Sequence, residues 1–322
     1  MTHVVTQAGH GWVDAHVHFW DPARFTYPWL ATVPPLDRPF LPSDLAGALG
    51  RELDGGPLPL GVVAVEADRL AAEAPAEARW LGGLGTPAVL AVPVLAVVAH
   101  APLELGSRLE PGTVEGLVAL PRVTGVRRLL QDEPAGTATA PGFVAGAGLL
   151  AGAGATLDLC VREHQLAEVT ELVRRLPDVT FVLDHLGKPR IEPAALGPWA
   201  ADLHRLAALP NVRCKLSGLA TEAEPAHRTP AHLLPFLRTA VDAFGPGRCM
   251  FGSDWPVLTL ATGYRAWLDV VREAVADLTD DERDQIMRRT ALATYRVAAV
   301  DPLPDVSPDA LLEPVPDPMP GG

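Results

Sequence analysis

The chain has 322 residues, 48% of them hydrophobic and 20% charged, which supplies a large core and excludes global disorder. Its 39 acidic residues outweigh 26 basic ones for a net charge of −13. That balance argues against nucleic-acid or anionic-membrane partners, since phosphate surfaces need a basic footprint. The opening MTHVVTQAGHGWVD lacks an apolar signal-like core and no apolar run reaches ~18 residues, so the sequence reads as a cytoplasmic protein without a membrane span.

Eight short apolar, β-branched runs follow one another along the chain. They are 12–19, 60–67, 88–96, 125–130, 155–161, 179–186, 211–219 and 249–257. Continuous apolar runs of this length suit strands buried on both faces, as in a parallel sheet. Cys160, Cys214 and Cys249 lie far apart in such runs and read as reduced core residues. Between the first two runs, residues 20–40 form a long segment rich in proline and aromatics, which predicts a functional loop roofing a site. Residues 164–176 place Leu166, Val169, Val173 and Leu176 on one helical face. Residues 233–244 and 264–275 repeat the amphipathic pattern, and Thr279 with Glu282 forms a capping box opening a helix to about Tyr295. Eight strands alternating with helices predict an α/β fold, a single (β/α)8 barrel over residues 12–297. Residues 1–11 read as an N-terminal extension. The segment 298–322, proline-rich and acidic, is expected to be an extended or disordered tail. No glycine-rich nucleotide-binding motif follows any strand.

Asp14, His16 and His18 in VDAHVHFW alternate along a strand and so share one face. Two imidazoles so placed can grip one divalent cation. His185 closes the sixth run and Asp254 the eighth. In a barrel, these C-terminal strand ends meet on one rim. His16, His18, His185 and Asp254 would therefore converge as N/O ligands for zinc or manganese. Asp254 could bind the ion, take a proton from water, or both. Glu66 ends the second run, as a further ligand, a histidine's partner or one half of a salt bridge. Arg127 and Arg128 alternate, so one faces the mouth. Arg162 ends the fifth run, and His164 either faces the site or begins a helix. Lys215 sits in the seventh run at an inward polar position. Asp184 has the opposite parity to His185, which predicts that it points outward. The histidines at 3, 10, 100, 204, 227 and 232 lack motif context and read as surface or loop residues.

The ordered motifs VDAHVHFWDP, GVRRLLQDEP, FVLDHLGKP, CKLSGL and FGSDWPV resemble the amidohydrolase superfamily. The nearest branch is the sugar-lactonase type of amidohydrolase family 2, with L-fuconolactonase, L-rhamnonolactonase and 2-pyrone-4,6-dicarboxylate lactonase. The resemblance implies a distorted TIM barrel that hydrolyses a small lactone such as L-fuconolactone or L-rhamnonolactone. It implies Asp254 as general base with His185 beside it. It places Arg127, Arg162 and Lys215 in the substrate pocket, which Glu66 and His164 would complete. Members of the branch differ in whether they need a metal, so the resemblance leaves open whether a cation is required; one that binds would be mononuclear, zinc before manganese. No carbamylated-lysine pattern marks the fourth strand, which speaks against a two-metal centre. Arg128 stands where many relatives have histidine, leaving substrate preference open. Alternatives are a metal-dependent decarboxylase acting on an aromatic or enolic acid, an amide or phosphoester hydrolase, and a non-catalytic barrel that binds sugar acids. Whether the chain forms a homo-oligomer is left open.

Overall fold

The computed structural model describes residues 11–53, 56–84 and 92–297. Most of the expected N-terminal extension, the start of the third apolar run and the expected tail lie outside the described residues. Eight parallel strands succeed one another in sequence order: β1 (Val13–Val17), β2 (Gly61–Val65), β3 (Val94–His100), β4 (Val123–Arg127), β5 (Thr156–Leu159), β6 (Thr180–Leu183), β7 (Val212–Leu216) and β8 (Cys249–Phe251). Helices flank them: α1 (Pro42–Glu52), α2 (Ala74–Gly83), α3 (Thr113–Val118), α4 (Pro141–Ala153), α5 (Leu166–Arg175), α6 (Pro193–Ala207), α7 (Leu219–Glu222), α8 (Pro230–Phe244), α9 (Tyr264–Ala274), α10 (Asp280–Asp284) and α11 (Thr290–Thr294). This is the expected distorted (β/α)8 barrel. Among the described residues, no helix is long and apolar enough to cross a membrane.

The strands are buried on both faces because side chains of opposite parity serve two cores. Val13, Ala15, Val63, Val65, Ala96, Val98, Val182 and Met250 fill the barrel interior, and Tyr295 joins them at the end of the C-terminal helical segment. Trp12, Val17, Val62, Ala64, Val97 and Phe181 face the helix layer. Helix α5 shows how that layer is built. Leu166, Val169, Leu172 and Val173 are buried on one stripe, while Arg174 and Arg175 close the last turn near the negative end of the helix dipole. The Thr279–Glu282 capping box forms as expected. The segment it opens is interrupted by a π turn at Gln285–Arg289 before α11.

One strand departs from the sequence reading. Within the described residues the third runs from Val94, just after Pro93, to His100, four residues past the end of the apolar run. Proline cannot donate to the ladder, so it starts the strand rather than lying inside it.

The last and first strands do not share a ladder like the other seven pairs. They meet at a single bridge between Val17 and Trp255. Two backbone bonds close it, Asp254 N to His16 O and His18 N to Trp255 O, each 2.8 Å. The 20–40 segment folds back over this seam. Trp20 and Phe40 pair by a backbone bridge, Phe40 and Phe19 pack against Trp255, and Trp29 Nε1 donates to Ala67 O beyond the end of β2.

Candidate active site

His16 and His18 reach the barrel mouth because β1 is irregular. Its register against β2 shifts between Asp14 and Val17. That shift separates Asp14 from the two histidines, against the expectation of a common face. Asp14 instead accepts from Tyr264 Oη at 3.0 Å, on the helix side, and from the backbone N–H groups of Ser253 (2.8 Å) and His16 (3.2 Å). One carboxylate thus ties the backbone beside Asp254 to the backbone of His16. Burial pushes the Asp14 carboxyl up to about 6.

His18 Nδ1 donates to Val65 O at 2.9 Å, which leaves Nε2 with a free lone pair. His18 Nε2 lies 3.1 Å from His16 Nε2 and 3.4 Å from Asp254 Oδ1, and His16 Nε2 lies 3.7 Å from the same oxygen; the circle through the three atoms has a radius of about 2 Å, the length of a Zn–N or Zn–O bond. Burial holds His16 well below the usual imidazole range, so it is neutral, as a ligand must be. Burial acts on Asp254 in the opposite sense, but the surrounding histidines, His185 foremost, outweigh it and keep the carboxyl ionised well below its usual range. The donor set, two imidazole nitrogens and one carboxylate oxygen, fits a borderline divalent ion.

His185 stands beside this triangle, its ring centroid 4.5 Å from that of His16. Its Nδ1 shares a 2.9 Å hydrogen bond with Ser217 Oγ. Burial brings it down to about 4. The backbone here is left-handed at His185, Leu186, Gly187 and Lys188, and Asp254 is left-handed too. Non-glycine residues hold such conformations at a cost, and they concentrate at sites. Gly218 is needed for the same reason: a Cβ there would meet His185 Nδ1 at 2.4 Å.

The left-handed turn also overturns the expected orientation of Asp184. β6 ends at Leu183, and Asp184 keeps the inward parity of Val182, while the turn swings His185 back to the same side. Asp184 is fully buried, 3.3 Å from His16 Nδ1 and 3.0 Å from Lys215 Nζ.

Other expectations are sorted by the same geometry. Arg127 does face inward, but Glu66 engages it at 2.7 Å, and Glu66 also holds Arg69 at 3.1 Å. Glu66 is therefore an ion-pair partner and not part of the ligand triangle. Burial would raise it, but Arg127, His100 and Arg69 together, with a backbone hydrogen bond from Asp68, outweigh burial and bring the carboxyl down to about 2. Lys215 is fully buried beneath His16, so it does not line an open pocket as the resemblance implied. Burial works against its charge, yet Asp158 and Asp184 keep the ammonium above its usual range. Arg162 sits half-exposed at the rim, 3.1 Å from Asp132. His164 is exposed in a 3₁₀ turn before α5 and joins nothing at the mouth, because β5 has already ended at Leu159.

Three mouth residues were not singled out in the sequence. Asp158 binds Lys215 at 2.6 Å; an acid inside the apolar TLDLC run was its signal. His100, read as a surface residue, ends β3 next to Glu66, and burial lowers it to about 4. Lys188 pairs with Glu222 at 3.2 Å.

Histidines and an aspartate meeting at the C-terminal rim of a (β/α)8 barrel stand where enzymes of this fold place their active sites, and they form a donor set that could hold a metal ion. The chain belongs to the amidohydrolase family, whose family model matches residues 13–297. It is 34% identical over 298 residues to an L-fucono-1,5-lactonase of Burkholderia multivorans, covering 88% of this chain and 95% of that one. An L-rhamnono-gamma-lactonase of Scheffersomyces stipitis is 28% identical over 237 residues, covering 63% of this chain and 69% of the relative. The crystal structure of an amidohydrolase from B. multivorans with bound zinc superposes with a TM-score of 0.77 at 32% identity, covering 90% of this chain and all of the other.

Proposed function

We propose that this protein is a hydrolase that opens the ring of a small neutral sugar lactone by attack of water. The observation that carries the reading is the triangle of His16 Nε2, His18 Nε2 and Asp254 Oδ1 at the barrel mouth. Relatives named as lactonases of L-fuconolactone and L-rhamnonolactone support it.

The mouth favours a neutral ring over a polyanion. Arg127 is matched by Glu66, Arg128 by Glu104 and Glu133, Arg162 by Asp132, and Lys188 by Glu222. A dicarboxylate would have to displace one of these partners. A polyol lactone needs only hydrogen bonds, which arginine and carboxylate rims supply in both senses.

Asp254 takes a proton from water as the water oxygen bonds to the lactone carbonyl carbon. His185, with Ser217 donating to its Nδ1, presents Nε2–H to the oxyanion. The ring C–O bond then breaks, and Asp254 returns the proton to the leaving alkoxide, giving a hydroxy acid. A divalent cation held by His16, His18 and Asp254, zinc by preference and manganese as the alternative, would supply Lewis-acid polarisation of the carbonyl.

The test is a pH-indicator assay on a panel of aldonolactones, with and without chelator. Acid release from a neutral aldonolactone is expected. Absence of turnover on every lactone, alongside carbon dioxide release from carboxylated aromatics, would overturn the assignment.

A further inference from the structure

The face of the barrel opposite the mouth carries a cavity of about 410 Å3 that the chemistry above does not use. It lies where β5, β6 and β7 begin, beside Thr156, Thr180 and Arg213, and its other wall is Gln285, Thr290 and Arg296 around α11. None of its lining residues is acidic, on a chain whose net charge is −13.

The two guanidiniums in the wall have no carboxylate partner among the described residues. Arg213 Nη1 donates to the carbonyl of Pro210 at 2.9 Å, and Arg296 forms no ion pair there. Burial and the neighbouring Arg248 push Arg213 below its usual range. Arg248 itself donates to the carbonyls of Phe244, Ala207 and Leu209, so it brings no acid either. Arg296 is seated by shape: a Cβ on Gly154 would meet its Nη1 at 2.4 Å, so only glycine leaves room for the guanidinium. Positive charge gathered in one concavity without compensation favours an anion.

The chain carries such an anion next to the cavity. Beyond Val297 the sequence has five acids and no basic residue, with Asp301, Asp305, Asp309, Glu313 and Asp317 at every fourth position. Asp301 is five residues from Arg296, a reach of up to about 17 Å. A tethered carboxylate is present at an effective concentration on the order of millimolar, whereas a free anion must approach a protein of strongly negative net charge. We infer that the acidic segment 298–322 docks by its carboxylates into the Arg213–Arg296 cavity on the closed face of the barrel. Docking there also pins α11 and the Tyr295 that follows it, whose Oη reaches Asp158 inside the barrel at 2.7 Å.

The test places a nitroxide on full-length Val306→Cys, the native cysteines being buried, and reads its mobility by electron paramagnetic resonance at low salt. An immobilised population is expected in the otherwise wild-type chain. Its docked-to-free ratio should fall about 3–10-fold when either side is neutralised, by Arg213→Gln/Arg296→Gln or by Asp301→Asn/Asp305→Asn/Asp309→Asn, and neutralising both should add little more. A label equally mobile with and without the two arginines overturns the inference. So does a label freed by the arginine variant alone, which would give the cavity to an anion from solution. Arg296 is exposed, so Arg296→Gln by itself replaces the double variant should that fail to fold, with the same two readings.

Discussion

Asp254→Asn separates catalysis from stability at one position. The substitution keeps the shape of the side chain and removes its charge and basicity. If Asp254 takes the proton from water, turnover falls by about 10²–10⁴-fold, or roughly 3–5 kcal/mol of barrier. Stability should respond differently. The groups nearest Asp254 Oδ1 are imidazoles, and burial keeps His16 and His185 neutral, so removing the carboxylate charge strands no buried cation. Lys188 keeps its own partner in Glu222. Because the same imidazoles hold the Asp254 carboxyl well below its usual range, its charge carries stability at neutral pH, and the amide is expected to cost about 1–3 kcal/mol without unfolding the barrel. The assay is kcat on the best aldonolactone at saturating zinc, alongside thermal unfolding of the same preparation. Wild-type kcat in the folded variant would remove Asp254 from the role of base. A collapse in stability would mean that its charge is structural.

Glu66→Gln should behave in the reverse way. Its carboxylate compensates two buried guanidiniums, Arg127 and Arg69, and removing one side of such a network costs about 3–5 kcal/mol. Thermal unfolding should drop by roughly 6–10 °C, and an unchanged midpoint would show that the ion pairs contribute little. Stability should also fall as pH rises above neutrality. Burial pushes Glu77 up to about 8, and a group whose folded pKa is raised contributes stability at low pH that is lost as pH climbs from its unfolded value through the folded one. Between pH 6.5 and 8 this amounts to about 1–2 kcal/mol. Denaturant titrations should show the slope in wild type and its loss in Glu77→Gln; the same slope in both would assign it elsewhere.

The barrel was legible because strands buried on both faces are written as continuous apolar runs, and their ends carry the polar residues. His16, His18 and Asp254 could be placed from strand ends alone, since the barrel forces those ends together. Orientation beyond the last strand residue was not legible. The inward turn of Asp184 depends on left-handed backbone at His185 and Leu186, where strand parity no longer applies. His100 was lost through a different error. Reading the third strand as ending at residue 96 left His100 in a loop, whereas a start after Pro93 carries the strand to His100 itself. Arg162 and His164 illustrate the same limit, because β5 stops at Leu159, Arg162 caps the next turn and His164 lies within it. Asp158 announced itself only as an acid within an apolar run, a signal shared by many structural ion pairs.

The seam between the first and last strands has a consequence for synthesis. The backbone bonds that close it belong to His16, His18, Asp254 and Trp255. A nascent chain on the ribosome carries both histidines early and waits through most of its translation for the aspartate. No truncated product that stops short of Asp254 can assemble the triangle, so a stalled chain lacks the donor set on which the proposed hydrolysis rests. On that reading, turnover in a cell extract would also measure how many barrels have completed their final closure.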